Sequence, residues 1–97
     1  MSVAIDRTVP VLVTTEHKGV FFGFAARDDL ENKSLIRLDR VKCCMYWHES
    51  VGGFLGLAAG GPNDHCRIGK QAEHVVLHDI TSLAICSEEA VSQWSKY

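Results

Sequence analysis

Excess positive charge is missing from this chain. Ten Lys and Arg stand against twelve Asp and Glu, a formal charge of −2. A dedicated nucleic-acid binder carries a basic patch that displaces counterions from phosphate, so this balance counts against that class and leaves only a local patch open. Long apolar runs are missing too: nothing approaches the ~18 residues needed to span a bilayer, and no membrane role is expected. The opening MSVAIDRTVPVLVTTE has no cationic region leading into an apolar core and a cleavage site, so the expected compartment is the cytosol. There the four cysteines should be reduced thiols rather than two disulfides.

Phosphate-binding motifs are absent as well. The only Gly-Lys is Gly69-Lys70, with Asp64 where a phosphate loop needs its first glycine and Gln71 where it needs a hydroxyl. That reading fails twice, and the dinucleotide pattern G-x-G-x-x-G does not occur. No internal repeat and no low-complexity segment is seen.

What is present is a composition for one soluble domain over residues 1–97, 46% hydrophobic and 23% charged, with residues 1–7 expected to be flexible. Short β-branched runs dominate. TVPVLVTTE (8–16) reads as a strand, with Pro10 suggesting an edge or a strand beginning. His17-Lys18-Gly19 reads as a tight turn with positive φ at Gly19. VFFGFAA (20–26) is its hairpin partner, and Gly23 inside it suggests a bulge or a close approach.

RDDLENKS (27–34) reads as a solvated loop with room for one helical turn. SLIRLD (34–39) and VKCCMYWH (41–48) read as two strands separated by a kink near Asp39-Arg40. By the period-two rule Val41, Cys43, Met45 and Trp47 share one face of the latter, and Lys42, Cys44, Tyr46 and His48 the other.

The stretch VGGFLGLAAGGP (51–62) holds five of the eight glycines. It reads as two glycine turns around a short packed strand. Cys66-Arg67-Ile68, HVVLHDI (74–80) and SLAIC (82–86) are further strands. Ser87 is an N-cap, Glu88 and Glu89 follow in the first turn, and Ala90, Val91 and Trp94 stack on one face of a helix over 87–96. The fold class is therefore mainly β: a compact antiparallel barrel or sandwich of six to eight short strands with one short C-terminal helix.

Chemistry-bearing clusters are sparse. Cys43 and Cys44 are adjacent, so in a strand they point to opposite faces and chelate poorly. His74 and His78 share a strand face but would lie about 13 Å apart. His65-Cys66 beside Asp64 is a half-site. Cys66, His65, His74 and His78 are thus weak metal candidates, and neither a metal nor a cofactor is expected. A thiol enzyme would need a histidine brought to Cys66 from a distant segment. Asp28-Asp29 and Glu88-Glu89 have nothing beside them to raise a pKa. Lys42, Tyr46 and Trp47, with Arg40 and His48 nearby, are the best stacking platform for a single-stranded nucleic acid.

Gly19-Val20-Phe21, Cys44-Met45-Tyr46-Trp47, Gly56 to Pro62 with Cys66-Arg67, and Glu88 to Trp94 together resemble a family of short bacteriophage and prophage proteins of unknown function. HKGVFFGFAA with SLIRLDRV is similar in shape alone to Sm-like and attenuation-protein small β-barrels that bind RNA. The phage resemblance implies a setting in the bacterial host cytosol and supplies no activity and no cofactor.

The expectation is a non-enzymatic accessory protein that binds a host or phage protein or associates with itself. Phe21 on one side of its strand, and Phe22 and Phe24 on the other, leave apolar surface on both faces of a sheet for a partner to cover. A single-stranded RNA or DNA binder using Tyr46, Trp47 and Lys42 is the alternative, and a zinc- or thiol-dependent enzyme the third reading.

Overall fold

The computed structural model describes residues 8–16, 19–31 and 35–97. The turn expected at His17-Lys18 and the lead-in expected to be flexible at 1–7 lie outside them. Six antiparallel strands form one sheet: β1 (Thr8–Thr15), β2 (Val20–Ala26), β3 (Leu35–Tyr46), β4 (Arg67–Ile68), β5 (Ala72–His78) and β6 (Ile80–Ile85). Two helices complete the fold, α1 (Gly53–Gly60) and α2 (Glu88–Trp94). Short 3-10 turns occupy Arg27–Glu31 and Glu49–Val51.

β1 and β2 are the expected hairpin, paired from Thr8↔Ala26 to Thr14↔Val20. β1 is not an edge, because β6 pairs along its other side. Pro10 is tolerated there because it falls at the last rung, where Cys86 N–H donates to its carbonyl at 2.9 Å just past the end of β6. The two central strands read from the sequence are one twelve-residue strand, β3, because a bulge absorbs the kink at Asp39-Arg40. Phe22 faces Lys42 and Phe24 faces Asp39. Two residues of β3, Arg40 and Val41, therefore oppose Gly23 alone, and Arg40 takes φ of 52°. Gly23 is needed on that rung: a methyl there would meet the Leu38 Cβ at 3.0 Å.

The glycine-framed stretch is a helix, not a strand. Gly52 at φ 86° turns the chain into α1, and Gly61 at φ 80° ends it, its N–H donating to Leu57 O at 3.0 Å. Leu and Ala between them are strong helix formers. Their apolar character on every side hides the period that would have announced a helix.

The strand order is β5-β3-β2-β1-β6, with β4 continuing beyond the far half of β3. β5 and β6 thus stand at opposite ends of the sheet, yet Asp79 alone joins them. One residue cannot bridge a flat five-strand sheet, so the sheet rolls until its ends meet. It stays open there, since β5 and β6 do not pair among the described residues.

Rolling divides the interior in two. Val9, Val11, Val13, Ala25, Ile36, Leu38, Val41 and Leu77 form an inner core inside the curl. Leu12, Val20, Phe22, Cys44 and Cys86 face outward and are covered by Leu57 and Ala58 of α1 and by Ala90 and Trp94 of α2. Trp94, wholly buried, stacks on Phe22 with ring centroids 4.8 Å apart and its indole N–H donates to Leu57 O. Both faces of the sheet are therefore covered within one chain. Apolar residues on two faces do not by themselves require a second molecule.

Candidate functional site

The bulge at Arg40 decides what the outer surface of β3 can do. Strict alternation from Leu38 would send Arg40 into the inner core. The extra residue instead returns Val41 to the core and leaves Arg40 outside, with its guanidinium carbon 4.1 Å from the centre of the Phe24 ring. Lys42, two residues on, lies on that same outer side and runs under α2. It is only 6% exposed, and its Nζ donates to Trp94 O at 2.7 Å. Lys42 so caps the negative C-terminal end of α2. Burial lowers its pKa from the usual lysine value.

These cations border a cleft of about 310 Å³ lined by Phe22, Phe24, Arg40, Lys42, Gln71, Val91 and Ser95. Phe22 and Phe24 meet edge to face, 5.5 Å between centroids, and supply its apolar floor. Among the described residues no carboxylate pairs with Arg40 or Lys42, and Asp39 in this part of β3 is hydrogen-bonded to His74 at 2.7 Å, both well exposed. Of the residues singled out in the sequence, Phe22, Phe24 and Lys42 come together here. Phe21 lies on the opposite face, against the inner core. Gln71, Val91 and Ser95 reach the cleft from remote segments, and no local pattern in the sequence marks them.

The stacking platform is not assembled. Tyr46 is 54% exposed at the far end of β3 and Trp47 packs against the outer core, while the Lys42 ammonium is buried beneath α2. Across the β3–β4 ladder Tyr46 faces Arg67.

A polar corner forms where the chain leaves β3. His48 Nδ1 accepts from the Ser50 backbone N–H and lies 2.9 Å from Ser50 Oγ, to which Asn63 Nδ2 donates. The His48 and His65 rings are 5.2 Å apart. The Cys66 thiol donates to Asn63 Oδ1 at 3.7 Å rather than to a histidine. His74 and His78 sit on β5, exposed and remote from this corner in the ladder. No group of three His, Cys, Asp or Glu among the described residues is placed to hold a metal ion. All four cysteines are free. Burial is the main cause pushing Cys44 up to about 11 and Cys86 up to about 12, so both are protonated, unreactive thiols near neutrality.

The last surface is the side of β6 that pairs with no strand among the described residues. Cys86 N–H points to Pro10, and the register pairs Leu12 with Ala84 and Thr14 with Ser82. Antiparallel alternation then turns the backbone groups of Ala84 and Ser82 toward β1, and those of Leu83 and Ile85 away from it. β6 (ITSLAI) contains no charge and no proline. Beside it runs a shallow apolar groove formed by Leu55, Ala59, Ala84 and Ile85, with Leu55 72% and Ile85 61% exposed.

No helix among the described residues is long and apolar enough to cross a membrane. No curated protein and no solved structure matches the chain. A family match does exist, and it runs from the first residue of β1 to the last of α2: over residues 8–94 the chain belongs to DUF6948, a domain of unknown function.

Proposed function

We propose that this chain is a non-enzymatic phage or prophage accessory protein of the host cytosol that acts by self-association, two copies joining through their β6 edges. The observation that carries this reading is the outer edge of β6, which pairs with no strand among the described residues. Edge strands of soluble proteins are normally blunted by charge, proline or a covering element. The outward side of β6 has none of the first two, and beside it among the described residues lies the apolar groove at Leu55.

A two-fold axis at Ala84 sets the outward groups of Leu83 against those of Ile85 on the second copy and repeats the contact by symmetry. The small Ala84 side chain lets the strands close, and Ile85 and Leu55 are removed from water. The phage setting is supported by the Gly-Val-Phe, Cys-x-Tyr-Trp and Gly-Leu-Ala-x-x-Gly-Pro stretches described above, and the genes on either side of the coding sequence test it. The single-strand binding alternative retains one pair, exposed Tyr46 opposite Arg67, and a salt-sensitive shift of a labelled oligonucleotide that Tyr46→Ala abolishes would favour it.

Native mass spectrometry at micromolar concentration decides the main reading. The expected species has twice the 10.7 kDa chain mass, and Ile85→Lys, which places a charge on an already exposed position, returns it to a monomer. A wild-type monomer would overturn self-association, and a dimer indifferent to Ile85→Lys would overturn the β6 contact.

A further inference from the structure

We infer that the cleft between the β2–β3 surface and α2 is a binding site for a small ligand with a flat apolar body and one oxyanion, a carboxylate, sulfonate or phosphate. Arg40 and Lys42 hold the acid group, and Phe22, Phe24 and Val91 take the apolar part. The site is separate from the β6 edge and does not depend on self-association.

Three observations converge on it. First, the cleft holds about 310 Å³, at the lower end of the ~300–1,000 Å³ that small-molecule pockets occupy. Second, its polar lining is one-sided. Two cations meet there without a carboxylate among the described residues, and a buried ammonium with no counter-charge carries a solvation cost that an incoming anion offsets. Third, the chain departs from regular β-structure to make it so. The bulge at Arg40 removes a guanidinium from the path into the inner core and sets it at the mouth of the same cleft as Lys42.

A purely architectural role accounts for part of this. Lys42 caps α2 through Trp94 O, but that bond uses one of three ammonium donors. It explains neither Arg40 nor the open volume. The guanidinium fork lying over Phe24 makes no hydrogen bond among the described residues, and it can grip a planar acid with two parallel hydrogen bonds. An aromatic acid satisfies the cleft best, its ring on the phenylalanine floor and its anion between the two cations.

The probe is 8-anilinonaphthalene-1-sulfonate, read by fluorescence on the folded protein. Saturable binding at one site per chain is expected. In the wild-type protein benzoate displaces the probe, whereas benzyl alcohol at equal concentration and ionic strength does not. Arg40→Asn, chosen because asparagine tolerates positive φ, and Lys42→Met each weaken the probe about tenfold, the size of one lost charge-assisted hydrogen bond. Ile85→Lys leaves it unchanged, which separates this cleft from the β6 groove. Equal displacement by acid and alcohol, or no saturable binding at all, overturns the inference. So does retained affinity in a variant whose far-ultraviolet circular dichroism is native, and the competition in wild type decides the matter even where a variant fails to fold.

Discussion

At the scale of the residue, the buried thiols and the buried lysine pull stability in opposite directions with pH. Cys44 and Cys86 have their pKa values raised by burial from 9.0 to about 11 and about 12. An unfolded chain ionises these thiols near 9.0 while the folded chain keeps its protons, so the folded state binds more protons above that pH. Their contribution is complete below 9.0 and is lost as pH rises from there. Lys42 is lowered from 10.5 by desolvation, so the unfolded chain holds the extra proton just below 10.5 and this group alone would gain stability over that interval. Two large thiol shifts outweigh one modest shift of the other sign, at about 1.4 kcal/mol per pH unit for each thiol ionised only in the unfolded chain. The urea midpoint is therefore expected to fall from 9.0 to 10.5 and, in Cys86→Ala, to fall with a shallower slope whatever its absolute stability. A wild-type midpoint that is flat or rising across that window contradicts the assignment.

At the scale of the element, the Ser87 hydroxyl links the end of α1 to the start of α2. Ser87 Oγ accepts from Ala90 N–H as the N-cap of α2 and donates to Ala59 O, while Ser87 N–H donates to Ala58 O. Carbonyls that the last turn of α1 cannot satisfy internally are thus paired by the start of α2. Ser87→Ala should cost about 1 kcal/mol, as for other caps. Ser87→Asp should recover little of it, because a carboxylate keeps the acceptor for Ala90 but meets the Ala59 carbonyl without a proton to give. Chemical denaturation of the three proteins checks the order, and an aspartate variant as stable as wild type would show that only the cap matters.

The cap itself was legible: Ser87 followed by two acids and an apolar face announces a helix, as β-branched and aromatic composition announces β1, β2 and β6. α1 was not, because glycines at both ends resemble turns and a segment apolar all round has no period to read. Leu57 is buried and Leu55 exposed only because of what surrounds the helix. The cleft was half legible for a related reason. Phe22, Phe24 and Lys42 stand out by type, but their convergence with Arg40 depends on a one-residue bulge, and a bulge inverts the very alternation by which faces are assigned.

At the scale of the whole molecule, the question is whether two cores make two folding units. The inner core lies inside the curl and the outer one under the helices, yet no strand belongs to one alone. β1 gives Val9, Val11 and Val13 to the first and Leu12 to the second; β3 gives Ile36, Leu38 and Val41 to the first and Cys44 to the second. Losing either layer leaves a sheet with one apolar face in water, so neither is stable without the other and unfolding should be two-state. Leu38→Ala tests this from the inside. Leu38 is buried and belongs to the inner core, and its truncation should cost about 2–5 kcal/mol. Trp94 reports on the opposite layer, stacked on Phe22 and sealed from solvent. In Leu38→Ala the fluorescence transition of Trp94, isolated by replacing Trp47 with Phe, should shift to lower denaturant by the same amount as the far-ultraviolet signal. A Trp94 transition that stays in place while the β signal moves would separate the two layers, and with them the curl that carries β5 round to β6.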